Sequence, residues 1–384
     1  MRFLILGSGM QGRACAFDML RNPKTEKVLL ADSSDASLAE ARAFLKSKKA
    51  QTLKLDAAET AKVAKLAKDF DVVVSCLPYF FNFPLAKAVI AAKVHWVDLG
   101  GNTEIVLKEL TLDAQAKKAG VTLIPDVGLG PGMTTTVAVH GMSQLDITHD
   151  VLIRDGGLPQ KPVAPMNYLL TFSEHGLINE YVEKATAIRD GKRVEVDGLS
   201  EIEELDIPGL GRMEAAHASG GLSTLAHTLE GRVRTMDCKL IRYPGHCAII
   251  NGMNAMGFFS QKPVQVNGSE LAPRALAAKL FRDHFHRPGG KDFVVIHTTV
   301  RGKKNGKRAE IVYTMLDKYD DKLKMTAMMR TTGFPASIVA QMIASGVIKK
   351  PGAFPVETGV PADEFLREMK ARGFNLSWTI RYLE

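Results

Sequence analysis

The stretch FLILGSGMQGRACAFDML, residues 3–20, decides the fold class of the N-terminal third of the chain. A short apolar run ends at Leu6, and three glycines follow within the next six residues. From Gly12 onward, apolar side chains recur at helical spacing, at Ala16, Phe17 and Leu20. A buried strand that turns at once into a helix is the first βα unit of a parallel sheet.

The same alternation continues as far as residue 126. The predicted strands are 2–6, 28–31, 52–55, 71–76, 95–99 and 121–126. The predicted helices are 12–20, 36–46, 57–68, 84–92 and 106–118. Strands separated by helices pair in parallel through right-handed crossovers, and uninterrupted apolar runs are typical of a sheet covered on both faces. The sequence therefore predicts an α/β fold with a Rossmann-type doubly wound parallel sheet.

The three glycines of the first turn match the dinucleotide-binding fingerprint. Gly7 permits the tight turn, Gly9 lets the backbone approach a pyrophosphate, and Gly12 allows the helix to pack on the strand. Asp32 ends the second strand, where an acid accepts hydrogen bonds from the ribose. Its carboxylate repels the 2′-phosphate of NADP, so NAD is the predicted cofactor. The alternative interpretation of the three glycines is a plain strand-to-helix turn that binds no nucleotide. The other predicted cofactor-binding residues are Met10, Gln11, Cys76, Leu77, Pro78 and Gly100.

The later strand ends also carry polar groups beside glycine or proline. Tyr79 follows the fourth strand and Asp126 ends the sixth. Ligands of doubly wound sheets bind at the carboxyl ends of the strands, which makes Tyr79 a candidate catalytic residue and Asp126 a candidate substrate-binding residue. Tight βα turns, with no ligand contact, are the alternative interpretation.

After Gly132 the regular alternation stops. The predicted strands of this region are 150–154, 234–243, 293–301, 307–316 and 322–330. Strands without intervening helices indicate antiparallel or mixed pairing in a separate α+β domain. The predicted organisation is a nucleotide-binding domain at 1–132, an α+β substrate and dimerisation domain at 133–333, and a C-terminal segment at 334–384 that returns to the first domain.

Composition excludes several classes of protein. The 384 residues carry a net charge of +8, but the one dense basic run, 301–308, has the composition of a hairpin tip, and we expect no nucleic-acid partner. The four cysteines lack metal-ligand spacing, and no histidine pair has the spacing of a zinc motif, so no metal site is predicted. Free thiols fit a reducing cytoplasm, and no apolar run is long enough to predict a membrane span.

Longer motifs resemble the saccharopine dehydrogenase-like family. They are CLPYFFNFPLAKAVI (76–90), VDLGGNTEIV (97–106), IPDVGLGPGM (124–133), GGLPQKPVAPMNYLLTFSEHGLINEY (156–181), SGGLSTLAHTL (219–229), RYPGH (242–246) and the region 344–374. Within the family they are most similar to the branch that oxidises the ε-amine of free L-lysine with NAD. The resemblance implies the same three-part domain organisation that the strand and helix pattern predicts. It also implies a small amino-acid substrate and assembly as a homodimer or a dimer of dimers.

The resemblance also implies roles for single residues. It places Tyr79 near the nicotinamide. The saccharopine reductase branch has an acid at the position of Gly130 and a cysteine at the position of Asp155, and both differ here, which argues against saccharopine as the substrate. Asp155 enters a Gly-Gly turn and is a further candidate catalytic residue that could meet a cationic amine; a turn-capping aspartate is the alternative.

Arg242 and His246 are the strongest candidates in the RYPGH motif. The planar fork of Arg242 suits a substrate carboxylate, and His246 suits proton transfer near neutral pH. A structural arginine and a structural histidine are the alternatives. The remaining predicted substrate-binding residues lie in the matching motifs and are Phe172, Ser173 and Tyr243.

The expected activity is the oxidation of the ε-amine of lysine to 2-aminoadipate 6-semialdehyde, with release of ammonia. Two alternatives stand beside it. One is a reductase of the same family that joins an amine to an aldehyde, as in saccharopine or carboxynorspermidine formation. The other is an NAD-sensing protein without catalytic activity.

Overall fold

In the computed structural model, which describes residues 1–287 and 289–384, the apolar run at the start of the chain forms the first strand. The strands, in chain order, are β1 (Arg2–Leu6), β2 (Lys27–Asp32), β3 (Ala50–Lys54), β4 (Val72–Ser75), β5 (His95–Asp98), β6 (Thr122–Ile124), β7 (Ile147–Pro159), β8 (Ala185–Arg189), β9 (Lys192–Val196), β10 (Glu203–Ile207), β11 (Gly211–His217), β12 (Thr235–Arg242), β13 (Val264–Val266), β14 (Ser269–Leu271), β15 (Asp292–Lys304), β16 (Lys307–Lys318), β17 (Gly352–Ala353) and β18 (Ser377–Tyr382).

The helices include those predicted between the first six strands. In chain order they are α1 (Met10–Arg21), α2 (Asp35–Leu45), α3 (Thr60–Ala67), α4 (Asn82–Ala91), α5 (Thr103–Leu110), α6 (Asp113–Ala119), α7 (Met133–Ser143), α8 (Glu174–Val182), α9 (Thr224–Leu229), α10 (His246–Ala255), α11 (Pro273–Phe285), α12 (Ala327–Ala344), α13 (Val356–Gly359) and α14 (Ala362–Ala371). None of the helices in the described ranges is both long and apolar enough to cross a membrane.

The chain divides into two units. The first comprises Met1–His140, Ser223–Leu225 and Met329–Phe374, and the second comprises Gly141–Leu222, Ala226–Met328 and Asn375–Glu384. The predicted C-terminal segment is therefore shared. Its last ten residues belong to the second unit because β18 pairs with β16 there.

The first unit is built on a seven-stranded parallel sheet in the order β17-β6-β5-β4-β1-β2-β3. Its central strands are buried, from Phe3 to Leu6 in β1 and over all four residues of β4, as the uninterrupted apolar runs predict. The doubly wound α/β fold predicted from the sequence is confirmed. One predicted helix, 106–118, is instead the pair α5 and α6, because the chain turns at Thr111, whose hydroxyl donates to the Lys108 carbonyl at 2.6 Å.

The second unit is built on a nine-stranded sheet whose main path is β10-β11-β12-β7-β15-β16-β18, with β8 paired to β12 and β9 paired to β8. The sheet is mixed, since β12 and β7 are parallel while β15 pairs antiparallel with both β7 and β16. The predicted hairpin at 301–308 is confirmed: Lys304 faces Lys307 across a two-residue turn. On this hairpin Arg301 donates to Glu310 at 2.6 Å.

The predicted strand at 322–330 is wrong, because α12 begins at Ala327. The carboxylate of Asp292 accepts hydrogen bonds from the amide groups of Ala327 and Met328, at 2.7 and 2.9 Å. A distant residue thus satisfies amides that a helix start leaves unpaired. The pattern of residues 322–330 contains no indication of Asp292, because this partner is distant along the chain.

A close contact between α1 and α12 fixes where the C-terminal segment packs on the first unit. A β-carbon on Gly333 would lie 2.8 Å from the Ala14 β-carbon and 2.9 Å from the Gln11 carbonyl oxygen. Gly333 therefore allows the two helix backbones to approach each other more closely than any other residue would permit.

We expect Gly333→Ala to lower the stability of the first unit by about 1–3 kcal/mol, because the added methyl group forces the two helices apart. Gly252→Ala is the matched control in α10, since within the described chain nothing lies within 4 Å of a β-carbon at Gly252. Removing that helical glycine should be neutral or stabilising by up to about 1 kcal/mol. Calorimetric melting of both variants checks this, and equal melting temperatures would contradict the packing argument.

Candidate cofactor and substrate sites

The glycine turn between β1 and α1 has the geometry of a phosphate-binding loop. Gly7 adopts a φ of +96°, and a β-carbon on Gly12 would lie 2.0 Å from the Gly7 carbonyl oxygen. Among the described residues, nothing lies within 4 Å of a β-carbon on Gly9, and no side chain caps the N-terminus of α1. The loop thus presents open backbone and uncapped amide groups, which fit a pyrophosphate.

Asp32 lies directly beside this loop. Its Oδ2 accepts the backbone N–H of Ser8 at 2.7 Å and the Ser8 hydroxyl at 2.9 Å, and its Oδ1 accepts the N–H of Ser34 at 2.8 Å. The carboxylate is held at the end of β2, where the fingerprint requires it, and its remaining lone pairs fit ribose hydroxyls. Ser8 is a residue that the sequence analysis missed, although it lies inside the fingerprint.

The other predicted cofactor residues lie around the same strand ends. The Cys76 carbonyl oxygen and a Leu77 methyl group lie 2.8 and 3.3 Å from the position of a β-carbon on Gly7, so they form a wall of the loop. Tyr79 is half-buried and packs over Gly101, with 3.5 Å between its β-carbon and a β-carbon placed there. Three others differ in exposure: Met10 and Pro78 are exposed, and Gln11 is half-buried.

A buried pair of carboxyl groups lies beneath the ends of β5 and β6. Asp98 and Glu109 are both 0% exposed, and the indole N–H of Trp96 points at both, at 2.8 and 3.2 Å. Asp98 Oδ1 also accepts the amide groups of Gly100 at 2.7 Å and of Asp126 at 3.2 Å. This carboxylate therefore organises the backbone of both strand ends.

Burial and the neighbouring Asp98 raise the pKa of Glu109 to about 11. Burial also raises the pKa of Asp98, although its hydrogen-bond donors oppose the rise. Two adjacent carboxyl groups in a dry site share a proton, so Glu109 is neutral at pH 7 and donates to Asp98. The sequence offers no sign of this, because a glutamate within a helix is usually exposed.

Asp126 stands just above this pair. It is 3% exposed, and its backbone has a φ of +68°, which non-glycine residues rarely adopt. A β-carbon on Gly100 would lie 1.7 Å from its Oδ1, so only glycine fits opposite it. Burial raises the pKa of Asp126 to about 7, and the charges of Asp98 and Glu357 add to the rise.

In the second unit, Arg242 lies in a buried cluster at the end of β12. It is 2% exposed and lies between two aromatic rings, 5.2 Å from the centre of Tyr168 and 5.6 Å from that of Tyr181. Its Nε donates to the Tyr181 hydroxyl at 3.1 Å and its Nη1 to the Ile241 carbonyl at 2.9 Å. The predicted residue is thus held in a fixed orientation.

Two carboxyl groups face this guanidinium. Glu180 Oε2 lies 3.6 Å from Arg242 Nη2 and has no hydrogen-bond partner within the described ranges. Burial raises the pKa of Glu180 to about 7 and that of Asp155 to about 6, and Arg242 partly offsets both rises. Glu180 is a second residue that the sequence analysis missed, even though it lies in one of the family motifs.

Asp155 does not enter a turn, and this part of the sequence interpretation is wrong. It lies within β7, is 4% exposed, and its Oδ1 accepts from the Cys238 thiol at 3.7 Å. The glycines after it are strand residues, required because a β-carbon on Gly156 would lie 2.5 Å from the Ile241 carbonyl oxygen. Asp155 is nonetheless close enough to Arg242 for the guanidinium charge to oppose the rise in its pKa.

His246 does not have the environment of a proton carrier. Its Nδ1 donates to the Met166 carbonyl at 2.9 Å, and its Nε2 accepts the Tyr181 hydroxyl at 2.8 Å. Burial and the neighbouring Arg242 lower the pKa of His246 to about 3. Both ring nitrogens are thus occupied in a neutral ring, and the histidine orients Tyr181 rather than exchanging a proton.

The three other predicted substrate residues have structural partners. Tyr243 donates its hydroxyl to the Pro159 carbonyl at 2.9 Å. Ser173 is exposed and caps α8 by accepting the N–H of Gly176. Phe172 packs against the apolar core beside that helix. The structure places none of the three in direct contact with Arg242 among the contacts it describes.

One cluster has ligand atoms close enough for a metal ion, although none was predicted. It consists of Glu201, His217 and Asp237, whose ligand atoms lie within 4.8 Å of one another. The Arg189 guanidinium pairs with Glu201 at 2.8 Å and with Asp237 at 3.0 Å. An arginine already balances both carboxylates, so the cluster has the chemistry of an ion-pair network.

The parallel sheet, the glycine loop and the acid at the end of β2 define a nucleotide-binding dehydrogenase of the doubly wound class. Residues 3–124 match the family model described as the saccharopine dehydrogenase NADP binding domain, and residues 128–374 match the saccharopine dehydrogenase C-terminal domain. The chain belongs to the saccharopine dehydrogenase family, as its motifs predict, and is an oxidoreductase acting on amino groups.

Relatives across this family match most of the chain. The NADP⁺-dependent, L-glutamate-forming saccharopine dehydrogenase of Schizosaccharomyces pombe is 22% identical over 91% of this chain and 92% of its own length. The carboxynorspermidine synthase of Vibrio cholerae is 26% identical, over 88% of this chain and 84% of its own. A solved structure of the apo L-glutamate-forming saccharopine dehydrogenase from Saccharomyces cerevisiae matches with a TM-score of 0.81 at 20% identity, over 99% of both chains, which shows the shared fold.

We expect Glu109→Gln to stabilise the protein increasingly as the pH rises. The folded-state pKa of Glu109 is about 11 against an ordinary value of 4.5, so above pH 4.5 the chain must take up a proton to fold. This cost grows by about 1.4 kcal/mol per pH unit at most, and glutamine avoids it. Melting temperatures from pH 5 to pH 9 check this. Glu104→Gln, exposed in the same helix, is the control, and a pH-independent difference for Glu109→Gln would contradict the neutral acid.

Proposed function

We propose that the chain catalyses the NAD-dependent oxidative deamination of the ε-amine of L-lysine. The observation that carries the proposal is the cluster of one buried guanidinium and two carboxyl groups in the second unit, Arg242 with Glu180 and Asp155. A cation beside two anions is complementary to the head of a free amino acid, which carries one carboxylate and one ammonium. The motifs shared with the lysine-oxidising branch support the ε-amine as the reacting group.

The charge arrangement supports an amino acid over a dicarboxylate in this cluster. Arg242 offers a planar fork for a carboxylate, and Glu180 Oε2 is an acceptor without a hydrogen-bond partner in the described chain. Burial raises the pKa values of Glu180 and Asp155, and an ammonium group placed beside them would favour their ionised forms because it carries the opposite charge. A carboxylate in place of that ammonium group would be repelled by the carboxylates of Glu180 and Asp155.

The proposed reaction balances in atoms and charge. The ε-ammonium loses a proton, the carbon beside it loses a hydride, and the resulting iminium takes up water. The products are 2-aminoadipate 6-semialdehyde, ammonium, NADH and one proton, from lysine, NAD⁺ and water. The bound cofactor supplies the hydride chemistry, and the protein residues bind and orient the amine and accept its proton.

NAD is proposed as the cofactor because of Asp32. Its carboxylate lies beside the phosphate-binding loop, with Ser8 and Ser34 bonded to it, and a 2′-phosphate would bring negative charge to the same place. The name of the Schizosaccharomyces pombe relative gives NADP⁺ as its cofactor. This chain is therefore proposed to differ from that relative in its choice of cofactor.

We expect Asp32→Ala to narrow the preference for NAD over NADP. The substitution removes the acceptor for the ribose hydroxyls, which weakens NAD binding, and removes the charge that repels the extra phosphate. The measurement is kcat/KM with each cofactor. Asp35→Ala is the matched control, because Asp35 is exposed in the next helix and pairs with Lys54. Equal use of both cofactors by the unaltered protein would overturn the assignment.

We expect Arg242→Ala to lower kcat/KM for lysine by roughly 10- to 150-fold. A buried charge-assisted contact to a carboxylate contributes about 1.5–3 kcal/mol, and cadaverine, which lacks the carboxylate, should be affected much less. Arg189→Ala is the control for loss of an ion-paired arginine in the same unit, and melting curves show whether each variant is folded. Equal losses for lysine and cadaverine would show that Arg242 is structural.

A reductase that joins an amine to an aldehyde is the second candidate, favoured by the names of the relatives from Schizosaccharomyces pombe and Vibrio cholerae. A screen of amino acids and polyamines separates the two. Oxidation of lysine with one ammonia released per NADH supports the deaminase, whereas consumption of reduced cofactor by glutamate plus the semialdehyde supports the reductase. We also propose a homodimer or dimer of dimers, which stays a prediction.

A further inference from the structure

Asp126 has a conformation that costs free energy. Its φ of +68° lies in the left-handed region, which aspartate enters more readily than most non-glycine residues but still uncommonly, and the residue is 3% exposed. The glycine opposite, Gly100, leaves space for its Oδ1, because a β-carbon there would lie 1.7 Å away. Strained backbone of this kind persists only where the surrounding structure enforces it, and it is concentrated at functional sites.

Two buried polar atoms at this place are unsatisfied. Asp126 Oδ2 has no hydrogen-bond partner in residues 1–287 and 289–384, and neither does Ser223 Oγ. The Ser223 hydroxyl lies near the Asp126 carboxylate and partly offsets the rise in its pKa, but it does not meet hydrogen-bond geometry. Ser223 is 6% exposed and also has a left-handed backbone, with a φ of +42°. Buried polar groups are nearly always paired, so two unpaired ones together indicate a place for a ligand.

The elements around Asp126 set its charge. Asp98 on β5 holds the Asp126 amide, Glu109 on α5 shares a proton with Asp98, and Glu357 on α13 adds a further negative charge. Tyr79 packs on the adjacent Gly101. These groups belong to the first unit, which also carries the phosphate-binding loop at the same end of the sheet.

We propose that Asp126, with Ser223 beside it, binds the reacting amine of the substrate and accepts its proton, and that the Asp98–Glu109 pair positions it. The inference rests on the proposed function in taking a protonated amine as the substrate. It assigns to Asp126 the proton transfer that His246 is unable to perform.

The step requires no further reactant. One N–H bond of the substrate ammonium breaks, and the proton forms an O–H bond with Asp126 Oδ2. The nitrogen keeps the electron pair, which then assists departure of the hydride from the neighbouring carbon. The Ser223 hydroxyl accepts or donates a hydrogen bond to the same nitrogen as its charge changes.

The acceptor must be ionised to act, which determines the pH dependence. Burial, with help from Asp98 and Glu357, brings the pKa of Asp126 to about 7. The rate of oxidation should therefore rise as the pH increases through about 7. Removing the negative charge at Asp98 should shift this rise to lower pH, because a carboxylate that repels Asp126 is lost.

The test is the pH profile of kcat/KM for amine oxidation by the full chain with Asp126→Asn, Ser223→Ala, Asp98→Asn and Asp113→Asn. Asparagine tolerates the left-handed backbone, and melting curves verify folding. Asp126→Asn should lose activity by about 10²- to 10⁴-fold together with the rise near pH 7, and Asp98→Asn should shift that rise. Asp113→Asn, at a half-buried carboxylate of α6 that pairs with Lys117 and accepts the Ala353 amide, should leave the profile unchanged.

The result that overturns the proposal is an Asp126→Asn variant with the activity and pH profile of the unaltered protein. Failure of the proposed function is separate. If lysine is inert and saccharopine is oxidised instead, the deaminase assignment fails, but the same variants are assayed on saccharopine, whose amine must also lose a proton. In the reductive direction Asp126 acts as the donor, so activity should then fall as the pH rises through 7.

Discussion

The absence of a side chain at Gly12 is the constraint on which the rest of the first unit depends. A β-carbon there would lie 2.0 Å from the carbonyl oxygen of Gly7, so α1 can start directly against the end of β1 only with glycine at this position. The first amide groups of α1 therefore lie beside the glycine loop, where Asp32 accepts the backbone N–H of Ser8.

The C-terminal segment is held on α1 by a buried carboxylate. Asp18 is 3% exposed and accepts hydrogen bonds from Arg372 at 2.8 Å, Ser337 at 2.7 Å and Gln341 at 3.1 Å. A carboxylate with this many donors is costly to leave unpaired, so the segment is tied to the first unit by polar contacts as well as by the close helix packing at Gly333. This explains why residues more than 300 positions apart belong to one unit.

Both candidate sites hold carboxyl groups in surroundings that disfavour their charge. Asp126 and Glu109 in the first unit, and Glu180 and Asp155 in the second, all have raised pKa values, and burial is the largest cause for each. Buried carboxyl groups of this kind lower the stability of the folded chain at neutral pH. Their presence therefore indicates sites where a functional requirement outweighs the loss of stability. In the second unit a buried arginine compensates part of this cost, whereas in the first a shared proton does.

The sequence by itself determined the parallel sheet, its cofactor loop, the acid at Asp32 and the family, because these depend on residues that are close along the chain. Periodicity, glycine spacing and strand ends are local signals. Only the tertiary structure decided that α12 begins at Ala327, where the distant Asp292 pairs with its first amides. Only the structure showed that Asp155 lies within a strand, that His246 is already fully paired, and that Glu109 and Glu180 are functional candidates. The physical reason is that burial and pairing set the charge of a side chain, and both are properties of neighbours far away in sequence, as with Asp98 and Asp126, 28 residues apart.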